Sequence, residues 1–293
     1  MKRILVIDVG SNSVKCSAYS YEKEIVREWH ETRVLALLSK IKDGIMNAEG
    51  EDLLCRTLSD YSDRAKKNGG AEVFAFATAS LRALTSPCDF IEKVAARTGI
   101  RIKLISGEEE AAYSYAGIKS KLGDGDENGI MADMGGGSTE VITYENGAIK
   151  QAVSIPFGAL VLKNKFVRGD LPTPEEAEAI AKYAREAFMK AAIENEKLVL
   201  VGGTAKCFGA LAKKDGVEMS ALQFDRALTF LLNDSAYQKR AERLFPERFP
   251  LIAPGAIALR ELVRACNSDT ILTTAGGLRD GIAHEILING DNK

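Results

Sequence analysis

The chain has 293 residues and a hydrophobic content of 46%, which is enough for one large core or for two domains. Its formal net charge of −2 excludes the overall basic character of many nucleic-acid-binding proteins, so a polyanionic ligand would need a local basic patch. Only two histidines are present, so a metal site must depend on carboxylates, which favours a hard cation such as Mg²⁺.

The first half of the chain alternates predicted strands with predicted helices. In chain order we expect strands over 4–7, 14–21 and 24–28, a helix over 51–67, a strand over 72–77, a helix over 89–97 and a strand over 101–105. Ser106 and Glu109 have the spacing of a capping box, which predicts a helix from this point to about Lys121. The polar, glycine-rich run 123–129 predicts a surface loop and a domain boundary.

The second half repeats this alternation. An Asn-Gly pair at 146–147, flanked by alternating residues, predicts a β-hairpin. The Thr-Pro-Glu-Glu run at 173–176 predicts the start of a helix that continues to about Glu194. A strand, a Gly-Gly turn and a helix then follow one another at 197–212 and again at 269–287. Alternating strands and helices predict α/β layers.

Two turns share the pattern Asp-x-Gly-x-x-Ser, at 8–13 and at 133–138. Each turn follows an apolar run and precedes alternating residues, which suggests an internal duplication, with chance similarity as the alternative. Turns of this kind bind phosphate oxygens through backbone N–H groups, because glycine leaves the backbone bare. The candidate phosphate-binding residues are Gly10, Ser11, Asn12 and Ser13 in the first turn and Gly135, Gly136, Gly137, Ser138 and Thr139 in the second.

Carboxylates lie beside both turns. Asp8 and Asp133 end the strands before the turns and would hold a metal ion against bound phosphates. For either turn alone, an ordinary hairpin turn is the alternative. The turns match neither the strand-to-helix Rossmann pattern nor the Walker pattern.

Three further residues outside the two turns are candidates. Gly203 lies in a Gly-Gly turn that opens a helix, where backbone N–H groups suit an anion; a close strand–helix turn is the alternative. Glu110 has no capping role and could orient or deprotonate an attacking water molecule. The alternative is that it only stabilises the helix dipole, as carboxylates at a helix start often do. Arg82 follows a buried strand and could bind phosphate, with a surface charge as the alternative.

The motifs together resemble one protein family. "IDVGSNSVK", "ATASLRAL", "ISGEEEAAYSYAGI", "ADMGGGSTEVI", "SIPFGAL", "VGGTA" and "GLRDGI" occur in the order and approximate spacing of the exopolyphosphatase/guanosine pentaphosphate phosphohydrolase family. The resemblance extends from Ile4 to about Ile286. That family belongs to the actin-like, sugar-kinase, heat-shock-70 superfamily. The resemblance therefore implies an α/β fold with two ribonuclease-H-like (actin-like ATPase) domains, over 1–120 and 121–293, and an interdomain cleft. The C-terminal helix could pack back on the first domain.

The resemblance also implies an activity: hydrolysis, dependent on Mg²⁺ or Mn²⁺, of a terminal phosphoanhydride in polyphosphate or guanosine pentaphosphate. Glu110 then corresponds to the catalytic base, and Arg82 to an arginine aimed at the phosphates. Asp133 and Glu140 correspond to the acidic residues of the second phosphate loop and, with Asp8, to metal ligands.

The sequence departs from the family pattern in three ways. Val161 stands where the family often has arginine, so one phosphate contact is in doubt. Lys15 replaces the usual arginine after the first loop and keeps the charge without the forked geometry. The chain length resembles that of the short, two-domain members, which puts processivity on long chains in doubt.

Composition sets the remaining expectations. The five cysteines are scattered, so we expect reduced and mostly buried thiols in a cytoplasmic protein. No apolar run suits a signal peptide or a membrane span, and we expect no nucleic-acid partner. A homodimer is left open. Two other functions on the same scaffold remain alternatives: an ATP-dependent sugar or acyl kinase and a non-catalytic nucleotide switch.

Overall fold

The computed structural model describes residues 1–119, 122, 127–190, 197–212, 218–274 and 276–290. The protein has the predicted α/β fold and divides into two compact units, Met1–Gly117 with Gly276–Lys293, and Ile118–Ala275. The predicted boundary between residues 120 and 121 lies outside the described residues, as does most of the predicted loop over 123–129. The cleft between the predicted domains stays a prediction.

The first unit is built on a mixed sheet with the strand order β3-β2-β1-β6-β7. Its strands are β1 (Lys2–Val9), β2 (Ser13–Tyr21), β3 (Ile25–Val34), β6 (Glu72–Ala77) and β7 (Ile102–Leu104), with a separate small hairpin of β4 (Ile41–Lys42) and β5 (Ile45–Met46). The helical segments that follow these strands are a 3₁₀ turn (Leu37–Lys40), α1 (Ala48–Lys67), α2 (Ala79–Arg82), α3 (Pro87–Thr98) and α4 (Gly107–Lys119).

The central strand β1 is buried on both faces, which explains its continuous apolar run. Successive side chains of a strand point to opposite faces. Leu5 and Ile7 therefore pack in a core that includes side chains of α1 and α3. Ile4 and Val6 pack in a second cluster on the other face.

The second unit is built on a sheet with the order β10-β9-β8-β11-β13-β12. Its strands are β8 (Gly129–Met134), β9 (Thr139–Glu145), β10 (Ala148–Ile155), β11 (Lys197–Val201), β12 (Glu218–Ser220) and β13 (Thr270–Thr273). Its helices are α5 (Ala159–Phe166), α6 (Pro174–Lys190), α7 (Gly202–Ala212), α8 (Ala221–Asn233), α9 (Ser235–Leu244) and α10 (Phe249–Ala265).

The two sheets repeat one topology. Each unit begins with three antiparallel strands. After intervening helices, a fourth strand (β6 or β11) pairs in parallel with the first of the three, and another parallel strand (β7 or β13) follows it in the sheet. This agreement extends the internal duplication from two short turns to whole sheets. Strand β12 is added only at the edge of the second sheet.

The chain returns to the first unit at its C-terminal end. Helix α11 (Leu278–His284) continues as a π-helical segment (Glu285–Asn289). Leu278 and Ile282 of α11 pack in the same cluster as Ile4 and Val6 of β1. This helix therefore covers the face of the first sheet opposite α1 and α3.

Local signals predicted several boundaries correctly. Asn146 and Gly147 both have positive φ, as a tight hairpin turn requires, and join β9 to β10. A capping box starts α6: Thr173 and Glu176 exchange hydrogen bonds with each other's backbone N–H groups. Its predicted end near Glu194 lies outside the described residues. The hairpin of β4 and β5 and the helix α5 were not predicted.

All five cysteines are free thiols, and only Cys88 is exposed, as the scattered spacing predicted. Burial raises the pKa of Cys266 to about 12. Among the helices that the structure describes, none is both long and apolar enough to cross a membrane.

Candidate active site

The segment that follows β3 donates backbone hydrogen bonds to the first turn. Gly10 N–H donates to the Ser13 carbonyl at 3.2 Å and closes the turn. The Ser11 carbonyl accepts from Leu38 N–H at 3.0 Å, and the Asn12 carbonyl accepts from Ala36 N–H at 2.8 Å. The carbonyl oxygens of Ser11, Asn12 and Ser13 are therefore satisfied within the protein.

Several donors of the same turn have no acceptor. The backbone N–H groups of Ser11 and Asn12 make no hydrogen bond within the described residues. Asn12 is 8% exposed, and its Nδ2 is buried without a partner among these residues. An unsatisfied buried donor costs about 1–3 kcal/mol, so an acceptor on a bound ligand would stabilise the buried Asn12 amide. Donors without acceptors suit an anion.

Asp8 lies beside this turn with two cations on one of its oxygens. It is the register partner of Lys15 in the β1–β2 pair. Lys15 Nζ lies 3.5 Å and Arg279 Nη1 lies 3.4 Å from Asp8 Oδ2. The other oxygen, Oδ1, faces the turn, 3.7 Å from the position that a Cβ on Gly10 would occupy.

The N-terminal residues of α5 donate backbone hydrogen bonds to the second turn. Gly135 N–H donates to the Ser138 carbonyl at 3.0 Å. The Gly135 carbonyl accepts from Ala159 N–H, and the Gly136 carbonyl accepts from the N–H groups of Leu160 and Val161, at 3.0–3.1 Å. Val161 thus supports the loop through its backbone, although its side chain cannot replace the family's arginine.

The second turn also has backbone N–H donors without acceptors among the described residues. The backbone N–H groups of Gly136, Gly137 and Ser138 have no acceptor within the part of the chain that the structure describes. Three successive N–H groups around bare glycines form a concavity of the kind that binds phosphate. Close packing fixes it, because a Cβ on Gly158 would lie 2.6 Å from the backbone carbon of Gly136.

Two acidic residues face each other beside the second turn. Asp133 in β8 and Glu140 in β9 are register partners, which places their side chains next to each other on one face of the sheet. Glu140 is 1% exposed, and its Oε1 accepts a hydrogen bond from Ser154 Oγ at 2.9 Å. The equivalent position in the first turn is Lys15 rather than an acid.

The predicted Gly203 site contains a cation that the sequence analysis missed. Gly202 has a φ of +92°, and a Cβ there would lie 2.8 Å from Asp133 Oδ1, so only glycine fits. A Cβ on Gly203 would collide with the guanidinium of Arg248. Within the described residues that guanidinium makes no ion pair or hydrogen bond. The sequence gives no signal for this contact, because Arg248 lies far from Gly203 along the chain.

The adjacent glutamates Glu109 and Glu110 have different partners. Glu109 Oε2 accepts from Ser106 N–H at 2.9 Å and its own N–H donates to Ser106 Oγ at 3.1 Å, so the predicted capping box is confirmed. The Ser106 backbone donor holds the pKa of Glu109 below its usual value. Glu110 instead accepts from Arg82 Nη2 at 2.9 Å. Arg82 was predicted to aim at phosphate, and here it contacts Glu110 and the Ile105 carbonyl.

A hard cation fits the donors in kind. Asp8 in the first unit, and Asp133 with Glu140 in the second, offer carboxylate oxygens, and neither turn offers histidine or thiolate. Within the described residues no three Asp, Glu, His or Cys side chains form a metal-binding group. Water and phosphate oxygens would therefore supply part of the coordination, as is usual for Mg²⁺.

Comparison with known proteins identifies the family. The Ppx/GppA phosphatase family matches residues 23–289 of the chain. The chain belongs to this family. The family inferred from the motifs is therefore confirmed.

Two curated relatives carry the two activities in the family's name. "Exopolyphosphatase 1" of Mycobacterium leprae is 26% identical over 302 residues, which cover 96% of this chain and 88% of that protein. The guanosine-5'-triphosphate,3'-diphosphate pyrophosphatase of Vibrio vulnificus is 26% identical over 304 residues, with 96% of this chain but 58% of that protein covered. Both names denote the predicted enzyme class, a phosphoanhydride hydrolase.

Solved structures of the family share the fold. The Ppx/GppA family member of Aquifex aeolicus has a TM-score of 0.83 at 21% identity, with 100% of this chain and 99% of that chain covered. An exopolyphosphatase of Cytophaga hutchinsonii has a TM-score of 0.88 at 18% identity, with 98% of each chain covered. The predicted actin-like fold class is confirmed.

Proposed function

We propose that the protein is a phosphohydrolase that releases the terminal phosphate of inorganic polyphosphate, of guanosine pentaphosphate or of both, with a divalent cation. The observation that carries this proposal is the shared construction of the two turns. In each turn the protein satisfies three carbonyl oxygens, those of Ser11, Asn12 and Ser13 or those of Gly135, Gly136 and Ser138, and leaves consecutive N–H groups without acceptors among the described residues. The names of the relatives support the choice of substrates.

The two turns would bind phosphate oxygens through these N–H groups. The hydroxyl groups of Ser11, Ser13, Ser138 and Thr139 would add donors to the backbone groups. Thr139 already donates to the Phe157 carbonyl at 2.7 Å, so its role is also to fix the second turn. The Arg248 guanidinium beside Gly203 would add a forked cation on the second unit.

Glu110 would act as the general base. A water molecule attacks the terminal phosphorus and forms a new P–O bond while the bond to the bridging oxygen breaks. The proton of the water moves to Glu110, and the shortened chain leaves with the electron pair on its bridging oxygen. Arg82 holds the Glu110 carboxylate in one position by a 2.9 Å contact.

The carboxylates of Asp8 in the first unit and of Asp133 and Glu140 in the second stay the predicted ligands of Mg²⁺ or Mn²⁺. When bound, such an ion neutralises charge on the phosphate oxygens. The carboxylate Oδ2 of Asp8 has a separate role, because it already accepts the two cations Lys15 and Arg279.

Free thiols fit a reducing compartment, so we propose the cytoplasm as the location. The absence of a nucleic-acid partner and a homodimeric state stay predictions.

The test is phosphate release with no phosphoryl acceptor present. The purified chain is incubated with Mg²⁺ and polyphosphate, guanosine pentaphosphate or ATP, and free phosphate is measured over time. We expect release from at least one of the first two substrates. Phosphate transfer from ATP that occurs only after a sugar or acyl acceptor is added would favour the kinase alternative. Nucleotide binding without turnover would favour the switch.

A further inference from the structure

The C-terminal helix α11 delivers an arginine to the first turn. Its apolar residues, including Leu278 and Ile282, are buried against β1, and Tyr19 Oη donates to Asp280 Oδ1 at 3.0 Å. Gly281 allows the backbone of α11 to approach α4 closely, because a Cβ there would collide with the Tyr113 carbonyl. These contacts fix α11 without any contribution from Arg279.

Arg279 extends from this fixed helix to the end of β1. Its Nε lies 3.0 Å from Ser17 Oγ, and its Nη1 lies 3.4 Å from Asp8 Oδ2. Ser17 is fully buried, and the Arg279 side chain is 18% exposed. The guanidinium is thus held in one orientation by two neighbours and still reaches the surface.

One nitrogen of the Arg279 guanidinium has no acceptor among the described residues. Lys15 Nζ and Arg279 Nη1 both lie beside Asp8 Oδ2, at 3.5 Å and 3.4 Å. A guanidinium has five N–H donors. Nε and Nη1 are engaged, and Nη2 of Arg279 has no acceptor within the described residues. Asn12, in the adjacent turn, adds its own unpartnered amide.

We propose that Arg279 is a phosphate-binding residue of the first turn, that Asp8 and Ser17 hold it in position, and that its Nη2 donates to a phosphate oxygen. This inference rests on the proposed function, since it assumes a substrate with phosphate groups. It gives Asp8 two separate roles. Oδ2 orients the cations, and Oδ1 faces the turn.

The test measures binding of polyphosphate in the presence of a chelator, so that no metal contributes. Arg279→Gln removes the charge and the forked donor and should raise Kd by about 10- to 100-fold, as the loss of a charge-assisted hydrogen bond predicts. Arg279→Lys keeps the charge and should lose less. Arg101→Gln removes one positive charge from the exposed partner of Glu92 and should leave Kd unchanged. That control separates local binding from overall charge.

Asp8→Asn supplies a result of opposite sign. Asparagine keeps an oxygen that accepts from Arg279 but removes the negative charge beside two cations, so metal-free binding should become equal to or tighter than that of the unaltered chain. A purely structural role of the Asp8–Arg279 contact predicts weaker binding for both variants. Thermal unfolding of each variant shows whether it is folded. If Arg279→Gln is not folded, polyphosphate binding by Arg279→Lys tests the role of Arg279.

The outcomes distinguish the two proposals. If the unaltered chain releases no phosphate from polyphosphate or guanosine pentaphosphate with Mg²⁺ present, the proposed function fails. If the unaltered chain binds polyphosphate and folded Arg279→Gln binds it equally well, only the role of Arg279 is overturned.

Discussion

Arg82 Nη2 lies 2.9 Å from Glu110 Oε2, while Nη1 of the same guanidinium donates to the Ile105 carbonyl at 2.8 Å. The arginine is therefore anchored to the backbone just before α4 and holds the carboxylate from one side. The Glu110 side chain is 12% exposed, so it keeps limited access to solvent. A carboxylate that is both held and accessible is suited to orient a water molecule.

Replacement of Arg82 should disturb this position more than it disturbs the fold. Lysine cannot reach the Ile105 carbonyl and Glu110 together, because it lacks the fork. We expect Arg82→Lys to lower kcat by about tenfold, the value of roughly one hydrogen bond to a charged group. The matched control is Lys103→Ala, since Lys103 is the cation 3.1 Å from the neighbouring Glu109. Equal effects of the two substitutions on kcat would contradict a specific role of Arg82.

Gly158 tests the construction of the second turn. Alanine at this position would place a Cβ 2.6 Å from the Gly136 backbone, and the turn would have to move. We expect Gly158→Ala to weaken polyphosphate binding by at least about tenfold, as close misplacement of donors predicts. Gly169→Ala is the control, because a Cβ there has its nearest neighbour at 3.7 Å. Binding measured by calorimetry should separate the two; unchanged affinity in Gly158→Ala would mean that the turn does not contact phosphate.

Removal of metal should stop turnover. The candidate metal ligands beside the two turns are carboxylate oxygens, so chelation should abolish phosphate release, and Mg²⁺ or Mn²⁺ should restore it. Phosphate release is measured after dialysis against a chelator and after each ion is added back. Full activity of the metal-stripped chain, or restoration by zinc alone, would contradict an oxygen-ligand site.

Acid should weaken a specific ion-pair cluster in the first unit. Glu51 is buried in α1 and lies 2.6 Å from both Lys93 and Arg97 of α3. The Lys93 hydrogen bond is the largest cause that lowers the pKa of Glu51 below its usual 4.5. A lowered pKa stabilises the folded state above pH 4.5, and this stabilisation is lost as the pH falls through the folded-state pKa.

Glu51→Gln should therefore lower the free energy of unfolding at pH 7 by about 1–3 kcal/mol. The difference from the unaltered chain should shrink near pH 3, as urea unfolding at both pH values would show. The control is Glu49→Gln, in the same turn of α1 as Glu51, which removes the exposed partner of Lys40. This substitution should lower the free energy of unfolding by less than about 1 kcal/mol. A pH-independent loss in Glu51→Gln would exclude the ionic explanation.

Local signals explain why much of the fold could be predicted. The capping box of Ser106 and Glu109 and the Asn146–Gly147 turn depend on residues a few positions apart. Glu140 was placed beside the second turn through the family resemblance, and the register of the β8–β9 hairpin makes it the partner of Asp133.

The contacts that complete the candidate site join distant residues. Arg279 and Asp8 are 271 positions apart, and no sequence period connects them. Helix α5 supports the glycine turn through backbone hydrogen bonds. These bonds depend on the path of the chain after β10, which the pattern of side chains does not predict. Arg248 was missed for the same reason, because no local pattern connects it with Gly203.

The proposed base is Glu110 and not its neighbour Glu109. The direct measurement compares kcat for phosphate release, and substrate affinity at equilibrium, in Glu110→Gln and Glu109→Gln. Glu109→Gln should change little, since glutamine also serves in a capping box. Glu110→Gln keeps the shape but removes the proton acceptor, so kcat should fall by about 10²–10⁴-fold with little change in affinity. Near-normal kcat in Glu110→Gln, or equal losses in the two variants, would contradict the assignment of the base.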